Sequence, residues 1–141
     1  MLQYAGFARP LWIGHRMEIR SFRDLVAWQR AMSLVEESYR IAARLPAWER
    51  YNLSSQIRAA ATSIPANIAE GHGSVHRRQY LYVIIAESSL RELQTHLENA
   101  IRVKHINAAE AAEATRIAAE VGRLLGGLHR ALKRPKKGPG K

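Results

Sequence analysis

Arginine and lysine are the residues of this 141-residue chain best placed to do chemistry, and the chemistry that suits them is gripping phosphate. Arg116, Arg123 and Arg130 recur every seven residues, two turns of a helix, so all three share one face. Lys133, Arg134, Lys136 and Lys137 extend that run toward the C-terminus. Cations spaced in this way can track a sugar–phosphate backbone without reading bases. Arg77 and Arg78 form a second group beside His72 and His76, where the sequence predicts the start of a helix. Cations there oppose the helix dipole, whereas a phosphate would gain from the free amides and the guanidinium groups together. The alternative for both groups is an ordinary solvated face.

Other reactive residue types do not assemble into a recognisable site. His72 and His76 stand four apart like a metal pair, but Gly73 interrupts the helix that would hold both and no third ligand is evident. Glu92 and His96 are also four apart, not the three that a di-iron bundle requires, and its inward carboxylates are missing. There is no phosphate loop, no HExxH, no nucleophile elbow and no cysteine. No catalysis, metal or cofactor is expected. Three polar residues read as structural. Asn67, two residues after Pro65, is expected to satisfy the carbonyl that the proline leaves free, or to pair across helices. Glu70 is expected to meet Arg58 or Arg91 in a pair that specifies geometry more than it stabilises.

The overall charge agrees with the phosphate reading. Twenty-two basic residues against 12 acidic give a formal charge of +10. Such an excess repels itself unless a polyanion answers it. Residues 107–141 carry a net +5, while residues 47–75 are neutral. A basic terminus on a compact domain implies RNA, DNA or an anionic membrane, with a solubilising tail as the alternative. No uninterrupted apolar run is long enough to span a bilayer, so no membrane partner is expected. The lack of cysteine fits a cytoplasmic setting.

Helical periodicity governs the elements that must position these residues. Ser21 and Asp24 form a capping-box-like start to the first helix. Its predicted seam is Leu25, Trp28, Met32, Val35, Tyr39 and Ala42, ending at Leu45-Pro46. A second helix over 48–70 buries Leu53, Ile57, Ala61, Ile64 and Ile68, with a kink or break at Pro65 and a stop at Gly71 and Gly73. The third, over 75–104, buries Val83, Ala86, Leu90, Leu93, Leu97 and Ala100. Ile84, Ile85 and Ile101 widen that face toward a further helix or subunit. Asn107 caps the fourth, whose apolar face is Ile117, Val121, Leu124, Leu125 and Leu128. Gly122 and Gly126 fall on one side of it, as close backbone packing would require, with fraying near Gly127 as the plainer account. The expected fold is all-α: an antiparallel up-down four-helix bundle over residues 21–133, with the second helix kinked at Pro65. Residues 1–20 read as a flexible or loosely packed extension and 134–141 as a mobile basic tail.

Several pieces carry a resemblance: Phe22-Arg23-Asp24-Leu25, Trp28-Gln29, Gln56-Ile57-Arg58, Ser63-Ile64, Asn67-Ile68-Ala69-Glu70-Gly71 and Ser89-Leu90-Arg91-Glu92-Leu93. Together they resemble the bacterial four-helix bundle proteins encoded in intervening sequences of 23S rRNA genes, over about residues 20–132. The stretch Ala119-Glu120-Val121-Gly122-Arg123-Leu124-Leu125-Gly126 is also similar to the accessory variability determinants of diversity-generating retroelements, which share that fold. The resemblance implies a four-helix bundle and a homopentameric ring. For the retroelement members it further implies binding to nucleic acid and association with a reverse transcriptase. The alternative it leaves open is an assembly protein with no dedicated nucleic-acid task.

Overall fold

The computed structural model describes residues 19–133. The expected N-terminal extension lies almost wholly outside the described residues, as does the basic tail with Arg134, Lys136 and Lys137. Four helices account for nearly all of the rest: α1 (Val26–Arg44), α2 (Leu53–His72), α3 (His76–Arg102) and α4 (Ala112–Lys133). Short 3-10 turns at Phe22–Asp24 and Ala47–Glu49 precede α1 and α2. Each helix packs on two neighbours in the cycle α1–α2–α3–α4, and among the described residues the backbones of the diagonal pairs stay farther apart. The result is the antiparallel up-down four-helix bundle that short connections favour.

The interior mixes a few large side chains with many small ones. Leu34, Ile57, Ile64, Leu93, Val121 and Leu125 are fully buried, among Ala27, Ala31, Ala61, Ala86, Ala100, Ala114 and Ala118. The rows expected for α2 and α3 are buried at every position. On α4 only Leu124 falls short, packing half-buried at the edge of the core.

Helix α1 departs from expectation. Its buried row is Ala27, Ala31, Leu34, Ser38, Ile41 and Leu45. Of the expected seam only Leu25 and Ala42 are buried; Trp28, Met32 and Val35 are half-buried and Tyr39 is 46% exposed. Two rows with the same spacing run side by side on this helix. Side-chain size favoured the aromatic one, but small residues let neighbouring helices approach, so they took the core.

Local signals at the helix ends are mostly as expected. Asp24 Oδ2 accepts from the amides of Arg20 and Ser21 at 2.8 and 3.0 Å, and Ser21 Oγ accepts from Arg23 N at 3.0 Å. This box closes the 3-10 turn; extended Leu25 then separates it from α1. Asn107 Oδ1 accepts from Glu110 N at 2.8 Å, capping a turn that leads into α4. Helix α2 runs undivided through buried Pro65. The glycine stop differs: Gly73 ends α2 at a φ of −80°, in the right-handed region. Among the described residues the left-handed position belongs to Lys104, at φ 64°.

Glycine's second use, close approach, occurs at Gly71. A Cβ there would sit 3.0 Å from Tyr82 Cβ and 3.5 Å from the Gln79 carbonyl, both fixed to the backbone of α3. The α4 glycines are different. A Cβ on Gly122 would meet Leu90 at an ordinary 3.5 Å, and one on Gly127 would meet nothing within 4 Å, so close backbone packing does not explain them.

Two predictions follow from these placements. Gly71→Ala should destabilise the bundle by about 1–3 kcal/mol through overpacking, while Gly127→Ala should stabilise it by about 0.5–1 kcal/mol through lower chain entropy. Denaturant melts of both variants check the opposite signs. The second prediction concerns pH. The two donated amides hold the Asp24 carboxyl below its ordinary value of 3.8. Its contribution to stability is therefore present above that value and lost as pH falls through the lower folded-state value. Asp24→Asn should melt earlier than the parent at neutral pH and converge on it as pH falls through that lowered value.

Candidate functional site

Antiparallel topology decides where the basic residues meet. The start of α3 and the end of α4 lie at the same end of the bundle, and three contacts fix them there. His76 Nε2 lies 2.9 Å from the Leu132 carbonyl oxygen. Tyr80 Oη lies 3.2 Å from His129 Nε2, with the two rings edge to face at 5.2 Å. His129 Nδ1 lies 2.5 Å from Glu87 Oε1. Arg77 and Arg78 follow His76, and Arg130 follows His129, so two groups some fifty residues apart in sequence share one end. Lys133 closes α4 beside them, and all four cations are exposed.

None of these four has an acidic partner among the described residues. The α2 exit also lies at this end, with His72 close enough to Asp24 to help hold that carboxyl charged. Arg20 and Arg23 belong to the same end, against only Asp24 and Glu70. Arg23 stacks its guanidinium 4.5 Å above the Phe22 ring.

Arg116 behaves differently from the rest of its seven-residue series. Its guanidinium donates to Glu113 at 2.5 and 3.0 Å and lies 3.9 Å from Glu120. That pairing lowers the Glu113 carboxyl and raises the Arg116 guanidinium from their ordinary values. Glu120 is shared with Arg30 of α1, at 3.0 Å. Arg116 is thus neutralised on the spot, whereas Arg123 remains exposed with no ion pair among the described residues. At the other end of the bundle Arg44 pairs with Glu110 at 3.5 Å and Arg102 with Glu98 at 3.1 Å. Most of the uncompensated charge lies where α3 begins and α4 ends; at the other end Arg50 and Lys104 are among the cations without an ion pair among the described residues.

The expected structural trio is rearranged. Asn67 Nδ2 donates to the Ser63 carbonyl at 2.7 Å and to Ser63 Oγ at 3.0 Å. It does not reach the Ala61 carbonyl that Pro65 leaves free, because an asparagine in a helix folds back onto its own i−4 turn. Ser63 carries the contact across to α3 through Ser89 Oγ at 2.8 Å. Glu70 is exposed and makes no ion pair among the described residues, so it meets neither Arg58 nor Arg91. Arg58 donates to the Arg50 carbonyl at 3.5 Å and Arg91 to Ser88 Oγ at 3.3 Å. Glu70 and Arg58 lie twelve residues apart on α2, a little over three turns along the axis, too far to pair.

Sequence reasoning missed two polar clusters. Glu87–His129–Tyr80 unites α3 and α4, and its spacing across 42 residues gave no local signal. The other surrounds Trp48, 72% exposed on the 3-10 turn before α2, with its indole 5.1 Å edge-on from the His105 ring. Nothing in the sequence singled out Trp48, which falls at the start of the segment that periodicity assigned to the second helix. No group of three or more potential metal ligands occurs among the described residues, and no described helix is long and apolar enough to cross a membrane.

A closed cycle of four antiparallel helices with an asymmetric charge belongs to the class of small helical-bundle proteins. A sequence model of the 23S rRNA-intervening sequence proteins matches residues 23–127, and the chain belongs to that family. No curated protein matches it.

The Glu87–His129 contact yields a direct check. Single Glu87→Ala and His129→Ala variants should each destabilise the protein, and the double variant should cost less than their sum by about 1 kcal/mol. Strict additivity in denaturant melts would mean that the contact does not join α3 to α4.

Proposed function

We propose that the protein is a non-enzymatic, basic scaffold that binds RNA or DNA through the end of the bundle formed by Arg77, Arg78, Arg130 and Lys133. The observation that carries this reading is the docking of His76 on the Leu132 carbonyl, which brings the two cationic groups together. Cations free of acidic partners keep their charge available for phosphate, and release of condensed counterions then drives binding. Arg123 extends the patch up α4, and Arg134, Lys136 and Lys137 would prolong it beyond Lys133. Arg116 contributes little, since Glu113 and Glu120 already occupy it.

The chain acts as a homopentamer on this reading. The row of Trp28, Met32, Val35 and Tyr39 on α1 supports self-association, because Tyr39 is exposed and the other three, though Trp28 and Val35 pack against the core, stay only half-buried. A ring would multiply weak phosphate contacts through effective concentration. The most concrete role is accessory protein of a diversity-generating retroelement in the cytoplasm, associated with its reverse transcriptase; the likeness of α4 to such proteins supports it. Family membership supports the second reading, an assembly protein without a nucleic-acid task.

Binding to a labelled duplex should weaken steeply as salt rises, with little sequence preference. Reversing Arg77, Arg78, Arg130 and Lys133 to Glu should abolish most of the affinity and flatten the salt slope by about 0.7–0.9 per lost phosphate contact. Arg116→Gln should change neither. Affinity that is the same in low and high salt would refute the electrostatic mechanism. Mass measurement after nuclease treatment should give about five times the 15.9 kDa chain.

A further inference from the structure

At the end of the bundle opposite the basic patch, an open groove of about 680 Å³ lies between the first turns of α2 and the last turns of α3. Trp48 and Glu49 of the 3-10 turn, Asn52 at the cap of α2, Gln56 of α2, Asn99 of α3 and His105 are among the residues that line it. We propose that this groove binds an unpaired nucleobase, stacked on Trp48 and read along its edge by Glu49 and the amides.

Four observations carry the proposal. First, the aromatic platform is exposed yet held: Trp48 is 72% exposed, and its edge-to-face contact with His105 fixes the ring. Second, His105 is positioned at the cost of backbone strain. Its amide donates back to Ala100 O at 3.0 Å and that of Lys104 to Ile101 O at 3.0 Å, a helix-ending motif that places the donor of the inner bond, Lys104, in the left-handed region. Glycine usually fills that position, but here Lys104 adopts it at φ 64°. Third, Glu49 is only 6% exposed, and His105 Nε2 lies 3.8 Å from its carboxylate, beyond hydrogen-bond length. A carboxylate so placed can accept from the exocyclic amino group of a base.

Fourth, the amides retain free hydrogen-bonding capacity. Gln56 Nε2 donates to Asn52 Oδ1 at 3.0 Å, leaving the Asn52 amino group and the Gln56 carbonyl available. The Asn99 amide has no partner among the described residues. A flat ligand with an aromatic face and a mixed donor and acceptor edge matches this set. Its phosphate would find Lys104, and Arg50 stacked 5.4 Å above the Tyr51 ring, beside the groove. Tyr51 is 86% exposed and offers a second stacking face. An acceptor at Glu49 favours bases with an exocyclic amino group (adenine, cytosine or guanine) over uracil, which has none.

The site adds single-strand recognition to the electrostatic reading, on which the choice of a nucleic-acid ligand rests, and it can be tested apart from it. Tryptophan fluorescence of the full chain is titrated with adenosine and uridine monophosphates, and with single-stranded oligoadenylate. Saturable quenching is expected with the adenosine nucleotide and weaker quenching with the uridine nucleotide. Trp48→Leu should abolish the quenching and weaken oligoadenylate binding about ten- to hundredfold, while duplex affinity stays unchanged. Because Trp48 is so exposed, the variant should keep its helical circular dichroism. Glu49→Gln should erase the preference for adenosine. No saturable quenching, with equal oligoadenylate affinity in parent and Trp48→Leu, overturns the proposal. If the charge-reversed variant nonetheless loses duplex binding, the electrostatic reading survives it. Quenching by mononucleotide without salt-dependent duplex binding would have the reverse meaning.

Discussion

Small residues on the inner faces of four helices are the constraint on which the rest of this structure depends. Alanine at positions such as 31, 61, 86 and 118 lets the backbones approach, and Leu34, Ile57, Ile64, Leu93 and Leu125 fill the space between them. Close packing of this kind drives ionised groups outward or into pairs, because an unpaired charge deep in the interior would cost far more than any single contact returns; Glu49, at the end of the bundle, is the buried carboxylate among the described residues. The pattern of charge on the surface is therefore a consequence of the core.

That consequence is polarised by connectivity. Short loops make the helices alternate in direction, so the N-terminal end of α3 and the C-terminal end of α4 must share one end of the bundle. The acids are placed elsewhere: Glu110, Glu113 and Glu120 on the early part of α4 and the turn before it, and Glu98 late on α3. They neutralise Arg44, Arg116, Arg30 and Arg102 where they stand. Surface pairs of this kind stabilise little. Their larger effect is to leave the opposite end as the one with surplus positive charge.

Periodicity made the helices, their order and three of the four core faces legible in the sequence, since burial repeats at helical spacing. It misread α1 because two parallel rows satisfy that spacing and the larger side chains lie on the outer one. The left-handed cap was sought at glycine, where composition suggests it, and occurs instead at Lys104, where the backbone folds back onto Ala100 and Ile101 at the end of α3. The candidate site was half legible. Arg77, Arg78, Arg130 and Lys133 were recognised by charge, but nothing local reveals that they converge, or that Glu113 and Glu120 withdraw Arg116. Contacts such as Glu87 with His129, or Trp48 with His105, join residues more than forty positions apart and leave no periodic trace.

The central claim is spatial: surplus charge gathers where α3 begins and α4 ends, and polyanions bind there. Photo-crosslinking of the protein to a bound oligonucleotide, followed by mass spectrometry of the linked peptides, tests this most directly. The account predicts that peptides spanning residues 72–80 and 123–133 carry the principal crosslinks. Crosslinks concentrated instead around the paired residues Arg30, Arg116 and Glu120, with those two peptides unlabelled, would contradict it.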